Sequence, residues 1–60
     1  MSAALTAANA IGARAGVFVM RLYQKPGQSY FVFYRNHIAV ARTTKEERVL
    51  SKMRELVRVE

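Results

Sequence analysis

Residues 17–35 read VFVMRLYQ-KPGQ-SYFVFYR, and this stretch decides the fold. Two runs rich in Val, Phe and Tyr flank a Pro-Gly pair, the pattern of a β-hairpin. Pro26 presets φ for the first central turn position, and Gly27 supplies the positive φ that a type II turn needs next. Type II turns splay the strands they join, so Gln24 and Ser29 are expected to widen the loop. Centring the pairing on Pro26-Gly27 sets Tyr23 opposite Tyr30, Leu22 opposite Phe31, Arg21 opposite Val32 and Met20 opposite Phe33. Side chains alternate across a strand. This register therefore predicts a core face of Phe18, Met20, Leu22, Phe31 and Phe33. The other face would carry Val17, Val19, Arg21, Tyr23, Tyr30, Val32 and Tyr34, aromatics mixed with a cation.

Working outward, Asn36-His37 reads as a turn, and Ile38-Ala-Val-Ala-Arg42 as a short third strand completing a meander. Thr43 and Thr44 stop it. Thr44-Lys-Glu-Glu47 has the spacing of a capping box, with Glu46 and Glu47 in the first turn, where a helix favours acids. Val49, Leu50, Met53, Leu56 and Val57 then recur at helical spacing, predicting a helix to about residue 55 and extended chain after it. Residues 1–16, MSAALTAANAIGARAG, are Ala-rich and acid-free. Gly12 and Gly16 interrupt an otherwise strong helix former. The segment is read first as an arm that orders on a partner, with a preformed helix or a remnant of a targeting segment as alternatives. The expected fold is α+β: a small antiparallel three-stranded β-meander with one C-terminal helix and a flexible or helical N-terminal arm. Residues 1–16 are the arm, and residues 17–60 form a single small domain.

Sixty residues with no Cys and one His leave no disulfide and no thiolate zinc site to reinforce the core. A domain of this size buries only about 60% of its unfolded surface, so a partner is the expected source of further stability. The charge is lopsided. Residues 1–45 hold six Lys or Arg and no acid, while residues 46–60 hold four of each sign. The net +6 therefore belongs wholly to the first three quarters of the chain, which points to a polyanion. No run approaches the roughly 20 apolar residues of a membrane span.

Catalytic chemistry finds little support. His37 is a lone titratable group away from the acids, three of which fall on the predicted helix. Ser29 and His37 would sit at opposite ends of one strand, about 25 Å apart at roughly 3.3 Å per residue. No glycine-rich phosphate loop is present, so no enzymatic activity, cofactor, metal or small-molecule substrate is expected. Interleaved cations and aromatics instead suggest nucleic acid. Arg14, Arg21, Lys25, Arg35, Arg42 and Lys45 are candidates to neutralise phosphates. Tyr23, Tyr30 and Tyr34 offer rings for unstacked bases, and His37, beside Arg35, is placed to touch phosphate or ribose.

Arg21-Leu22, Gly27 five residues on, Tyr30-Phe31 and the exit residue Arg35 resemble the first hairpin of the large-subunit ribosomal protein thirty-three family, bacterial and mitochondrial type. Val17-Phe18-Val19 looks like that family's first strand, and Arg54–Glu60 looks like its closing strand. The chain carries one Gly where the family has Gly-x-Gly, and it lacks the family's Tyr-Asp-Pro step. The resemblance implies a structural protein on large-subunit ribosomal RNA, beside neighbouring ribosomal proteins, with Arg21, Lys25 and Arg35 as hairpin residues against RNA. It implies a mitochondrial matrix ribosome, which the acid-free N-terminus would suit, or the cytoplasm of a bacterium. Two other classes compete: a non-catalytic accessory subunit of a mitochondrial or other multi-protein complex, and a small dimeric DNA-binder that inserts the hairpin in a groove.

Overall fold

A computed structural model describes residues 3–58. Helix α1 spans Ala3–Gly12 and continues into a 3-10 turn at Ala13–Ala15. Strands β1 (Val17–Lys25), β2 (Gln28–Arg35) and β3 (Ile38–Thr43) follow, then a 3-10 turn at Glu46–Arg48 and helix α2 (Val49–Val57). The strands form one antiparallel sheet in the order β1-β2-β3, the expected three-stranded meander. Both helices lie on the same side of it, packed against each other and against β1.

The N-terminal segment is a packed helix, where the first expectation was an arm awaiting a partner. Alanine is the strongest helix former, and Leu5, Ala8, Ile11 and Gly12 recur on one face of α1, with Ala8 and Gly12 buried. Gly12 marks the closest approach of helix to sheet: a Cβ there would lie 2.2 Å from the Val17 carbonyl oxygen and 2.7 Å from Met53 Sδ. The two glycines thus act differently from simple interruptions. Gly12 lets α1 settle on β1, and Gly16, at φ 72°, ends the helical segment in the left-handed conformation usual for a helix stop.

The register of the hairpin differs from the expected one by a single residue. Lys25 pairs with Gln28 across Pro26-Gly27, and Gly27 has φ 78°. Beyond the turn, Tyr23 pairs with Ser29, Leu22 with Tyr30, Arg21 with Phe31, Met20 with Val32 and Val19 with Phe33, because Gln24 is bulged out of β1. A type II turn twists against the right-handed strands it joins, and a bulge restores the twist at the cost of one unpaired residue. Gln24 does widen the end of the hairpin, whereas Ser29 stays in the ladder. Because side chains alternate, this one-residue slip turns the whole of β1 over. The core face carries Val17, Val19, Phe31 and Phe33, all buried, while Phe18, Met20 and Leu22 face the other way. The prediction was right for β2 and inverted for β1. The close approach at Gly12 favours this outcome, since small β-branched side chains fit beneath α1 better than Phe18 or Met20 would.

The β1 edge is closed by a side chain. Val19 N–H donates to Asn9 Oδ1 at 2.8 Å, and Asn9 Nδ2 donates to the Val19 carbonyl at 3.1 Å. The carboxamide thus satisfies both outward-pointing backbone groups of Val19, as a further strand would. At the other end of the chain, the expected apolar stripe forms. Val49 and Met53 are fully buried, with Leu50, Leu56 and Val57 packed around them. The capping box at Thr44 does not form: Lys45 occupies the position before the 3-10 turn, and its N–H donates to Thr43 Oγ1 at 3.3 Å. Helix α2 runs to Val57, two residues beyond the expected end. Residues 54–57, read by resemblance as part of a closing strand, are therefore helical, and Val59 and Glu60 lie outside the described residues.

Gly12→Ala separates two opposing effects. Helix propensity alone would stabilise the variant by about 1 kcal/mol. The added methyl meets a backbone carbonyl, which no rotamer change relieves, and overpacking of this kind costs about 1–3 kcal/mol or more. Thermal melts followed by circular dichroism are expected to show a Tm lower by about 5–10 °C; a higher Tm would contradict the close approach of α1 to β1.

Candidate nucleic-acid interface

The helices cover one side of the sheet and leave the other bare. On the bare side, Phe18 sits opposite Tyr34, Met20 opposite Val32 and Leu22 opposite Tyr30, and β3 adds Ala39 beside Tyr34 and Arg42 beside Val32. Phe18 is 53% and Met20 50% exposed, whereas Val32, at the centre, is only 7% exposed. The surface is thus a shallow platform of three aromatic rings around an aliphatic middle.

Among the described residues, none in a strand is acidic. The three carboxylates among the described residues, Glu46, Glu47 and Glu55, all belong to the helical segments after β3. The charge asymmetry of the sequence has therefore become a spatial one: among the described residues, the carboxylates lie in the helical segments and none on the sheet.

The structure divides the eight candidate binding residues between the two sides. Tyr30 and Arg42 are on the bare face, Tyr30 half-buried and Arg42 exposed. Lys25 is exposed beside the Pro26-Gly27 turn, and His37 is exposed in the turn at the opposite end of the sheet. Lys45 is exposed on the link from β3 to α2. The other three belong to the helix side. Arg21 lies over the Phe31 ring, 5.2 Å from guanidinium carbon to ring centroid, with Nη2 3.4 Å from Glu46 Oε1. Arg35 donates from Nη2 to the Leu56 carbonyl near the end of α2. Arg14 borders a second concavity with Ala10, Ile11, Ala15 and Val57. Tyr23, 69% exposed, falls on the helix side at the hairpin tip, away from the other two tyrosines.

Phe18, Met20 and Leu22 escaped the sequence reading as surface residues, because a half-buried strand that alternates Val with Phe and Met has no polar face to betray its direction. The signal was the Pro-Gly turn, whose twist mismatch implies a bulge on one of its strands. The sequence marks Asn36 only as a turn residue and Gly16 only as a break in a helix former. With Phe18, Met20, Tyr34 and His37 they line an open concavity of about 400 Å³ at the β2–β3 turn.

Among the described residues, no three of His, Cys, Asp or Glu converge on a common point where a metal ion would be held, and no helix is long and apolar enough to cross a membrane. The chain matches no protein-family model, no curated protein and no solved structure. A functional reading therefore rests on the surface itself.

The two sides predict different consequences for two arginines. Arg21→Ala removes a ring contact and a partly exposed ion pair, and is expected to lower stability by about 1 kcal/mol. Arg42→Ala, on the bare face, should change it by less than about 0.5 kcal/mol. Urea denaturation of both variants checks the assignment, and the opposite ranking would contradict it.

Proposed function

We propose that the protein is a non-catalytic RNA-binding module that receives single-stranded RNA on the bare face of its sheet. The observation that carries this reading is the coincidence, on one uncovered surface, of three aromatic rings with a cation and, among the described residues, no carboxylate. Open sheets use such rings to stack bases splayed out of single strands. Phe18 and Tyr34 are direct cross-strand neighbours and form one platform. Tyr30, four residues from Tyr34 along β2 and so about 13 Å away, serves a separate base. Arg42 on the face neutralises phosphate there, and Lys25 at the hairpin tip and Lys45 on the β3–α2 link serve phosphates further along the RNA strand. Arg21 and Arg35 support the platform from beneath, holding the sheet to α2 and to the segment that precedes it.

The resemblance of the hairpin motif supports one setting for this module, a structural component of the large ribosomal subunit, mitochondrial or bacterial, bound to ribosomal RNA. A second reading draws on the aliphatic middle of the face. Met20, Leu22 and Val32 suit a protein surface, as in an accessory subunit of a multi-protein complex.

Fluorescence titration of the intact protein with short unstructured RNA, from about 50 to 200 mM salt, separates the two. Three phosphate contacts give a slope near −2 on a log–log plot, so affinity is expected to fall about sixteenfold. Phe18→Ala and Tyr34→Ala should each weaken binding about tenfold or more, with unchanged circular dichroism. A flat salt response, or variants that bind as the parent does, would reject the RNA reading. Cosedimentation with a cell's large ribosomal subunits that survives nuclease digestion of the RNA would favour the protein partner.

A further inference from the structure

The concavity at the β2–β3 turn has features that an ordinary turn does not require. Asn36 and His37 form a two-residue hairpin loop, with Arg35 paired to Ile38 across it and φ of 52° and 69°. Both central residues of such a loop need positive φ, and Asn-Gly is the strongly preferred sequence. Asn tolerates this conformation, but at the second position a glycine would adopt it without the crowding that a Cβ brings. The chain places a histidine there, and its ring walls the concavity. An outlier of this kind supports a functional inference where the surrounding residues make a site.

The surrounding residues do make one. Phe18 and Tyr34 are cross-strand neighbours that give the concavity aromatic walls, and Met20 extends its apolar surface. Gly16 contributes no side chain, and the Asn36 carboxamide lies on that side, its Oδ1 3.9 Å from where a Gly16 Cβ would be. Neither Asn36 nor His37 has a side-chain hydrogen bond within the described residues. The site thus presents an apolar, ring-lined slot beside an amide that has both a donor and an acceptor to offer.

Resting on the RNA reading above, we infer that this concavity is a base-specific pocket for an unpaired adenine. An adenine presents its N6 amino group as donor and N7 as acceptor on one edge, and an asparagine carboxamide complements the two simultaneously. Stacking against Phe18 and Tyr34 holds the base plane, and His37 closes the slot from the turn. Uracil and cytosine can meet the carboxamide only with their Watson–Crick edges, and their single rings cover less of Phe18 and Tyr34, so the stacked and paired arrangement is weaker for them. The bare face would then bind RNA generally through its rings and cations, and would select adenine at this one position.

Asn36→Gly and His37→Gly test the pocket without removing the turn, since glycine accepts positive φ at either position. Anisotropy titrations of the intact protein with eight-nucleotide A, U and C homopolymers are expected to show the A oligomer bound about tenfold more tightly than the others. Asn36→Gly should lower binding of the A oligomer most, toward the level of the U oligomer, with smaller losses for U and C. His37→Gly should weaken A binding severalfold while raising the Tm. Equal affinity of the parent protein for A, U and C, or an Asn36→Gly variant that keeps its preference, would overturn the pocket and leave general RNA binding standing. Binding to none of the oligomers would remove the RNA reading and the pocket with it.

Discussion

The bulge at Gln24 is the constraint on which the rest of the molecule depends. A type II turn at Pro26-Gly27 closes the hairpin but twists it the wrong way for regular strands. One unpaired residue absorbs that mismatch, and one residue is half the repeat of a strand. All of β1 therefore presents the opposite face to the one that symmetric pairing about the turn would give. Val17 and Val19 go inward beneath α1, where Gly12 allows the helix to come close. Phe18, Met20 and Leu22 go outward to meet Tyr34, Val32 and Tyr30. Without the bulge, the large side chains of β1 would be competing for the space that α1 occupies.

The same slip carries Arg21 to the helix side. There it accompanies Val17 and Val19, and Phe31 and Glu46 receive it, while Arg35 reaches the end of α2. These cations join the sheet to the C-terminal segment, which carries all three described carboxylates. The bare side keeps its rings and Arg42. A sheet of three strands in so short a chain has little core to spare. Asn9, by pairing with both backbone groups of Val19, protects an edge that would otherwise be open to other strands. The result is a two-sided body: one side held together internally, the other available to a partner.

The meander, its strand order and the amphipathic C-terminal helix were legible in the sequence, since Val49, Leu50, Met53, Leu56 and Val57 follow a period that no other structure explains. The packed N-terminal helix was less so. Its Ala-rich residues bury little surface each, and the role of Gly12 depends on Val17 and Met53, distant in sequence or belonging to another element. The bare face was half legible. Tyr30, Val32 and Tyr34 fall on the expected outer face, and Tyr30, Tyr34 and Arg42 are candidates legible from the sequence. Arg21 and Arg35 were indistinguishable from them, because an arginine that supports a sheet and one that meets phosphate look alike until the register is known. Thr44 and Glu47 have the spacing of a capping box, yet the chain begins its helical segment in a 3-10 turn instead; local spacing is a weaker constraint than the path from β3 to α2.

The register is the quantity to measure. In two-dimensional nuclear Overhauser spectra, residues opposite each other without mutual hydrogen bonds bring their α protons closest. Val19 directs its backbone groups toward Asn9 and so belongs to such a pair. Strong α-proton cross-peaks are predicted between Val19 and Phe33 and between Arg21 and Phe31. Cross-peaks joining Met20 to Phe33 or Arg21 to Val32 would place Phe18 and Met20 in the core and contradict the account from its foundation.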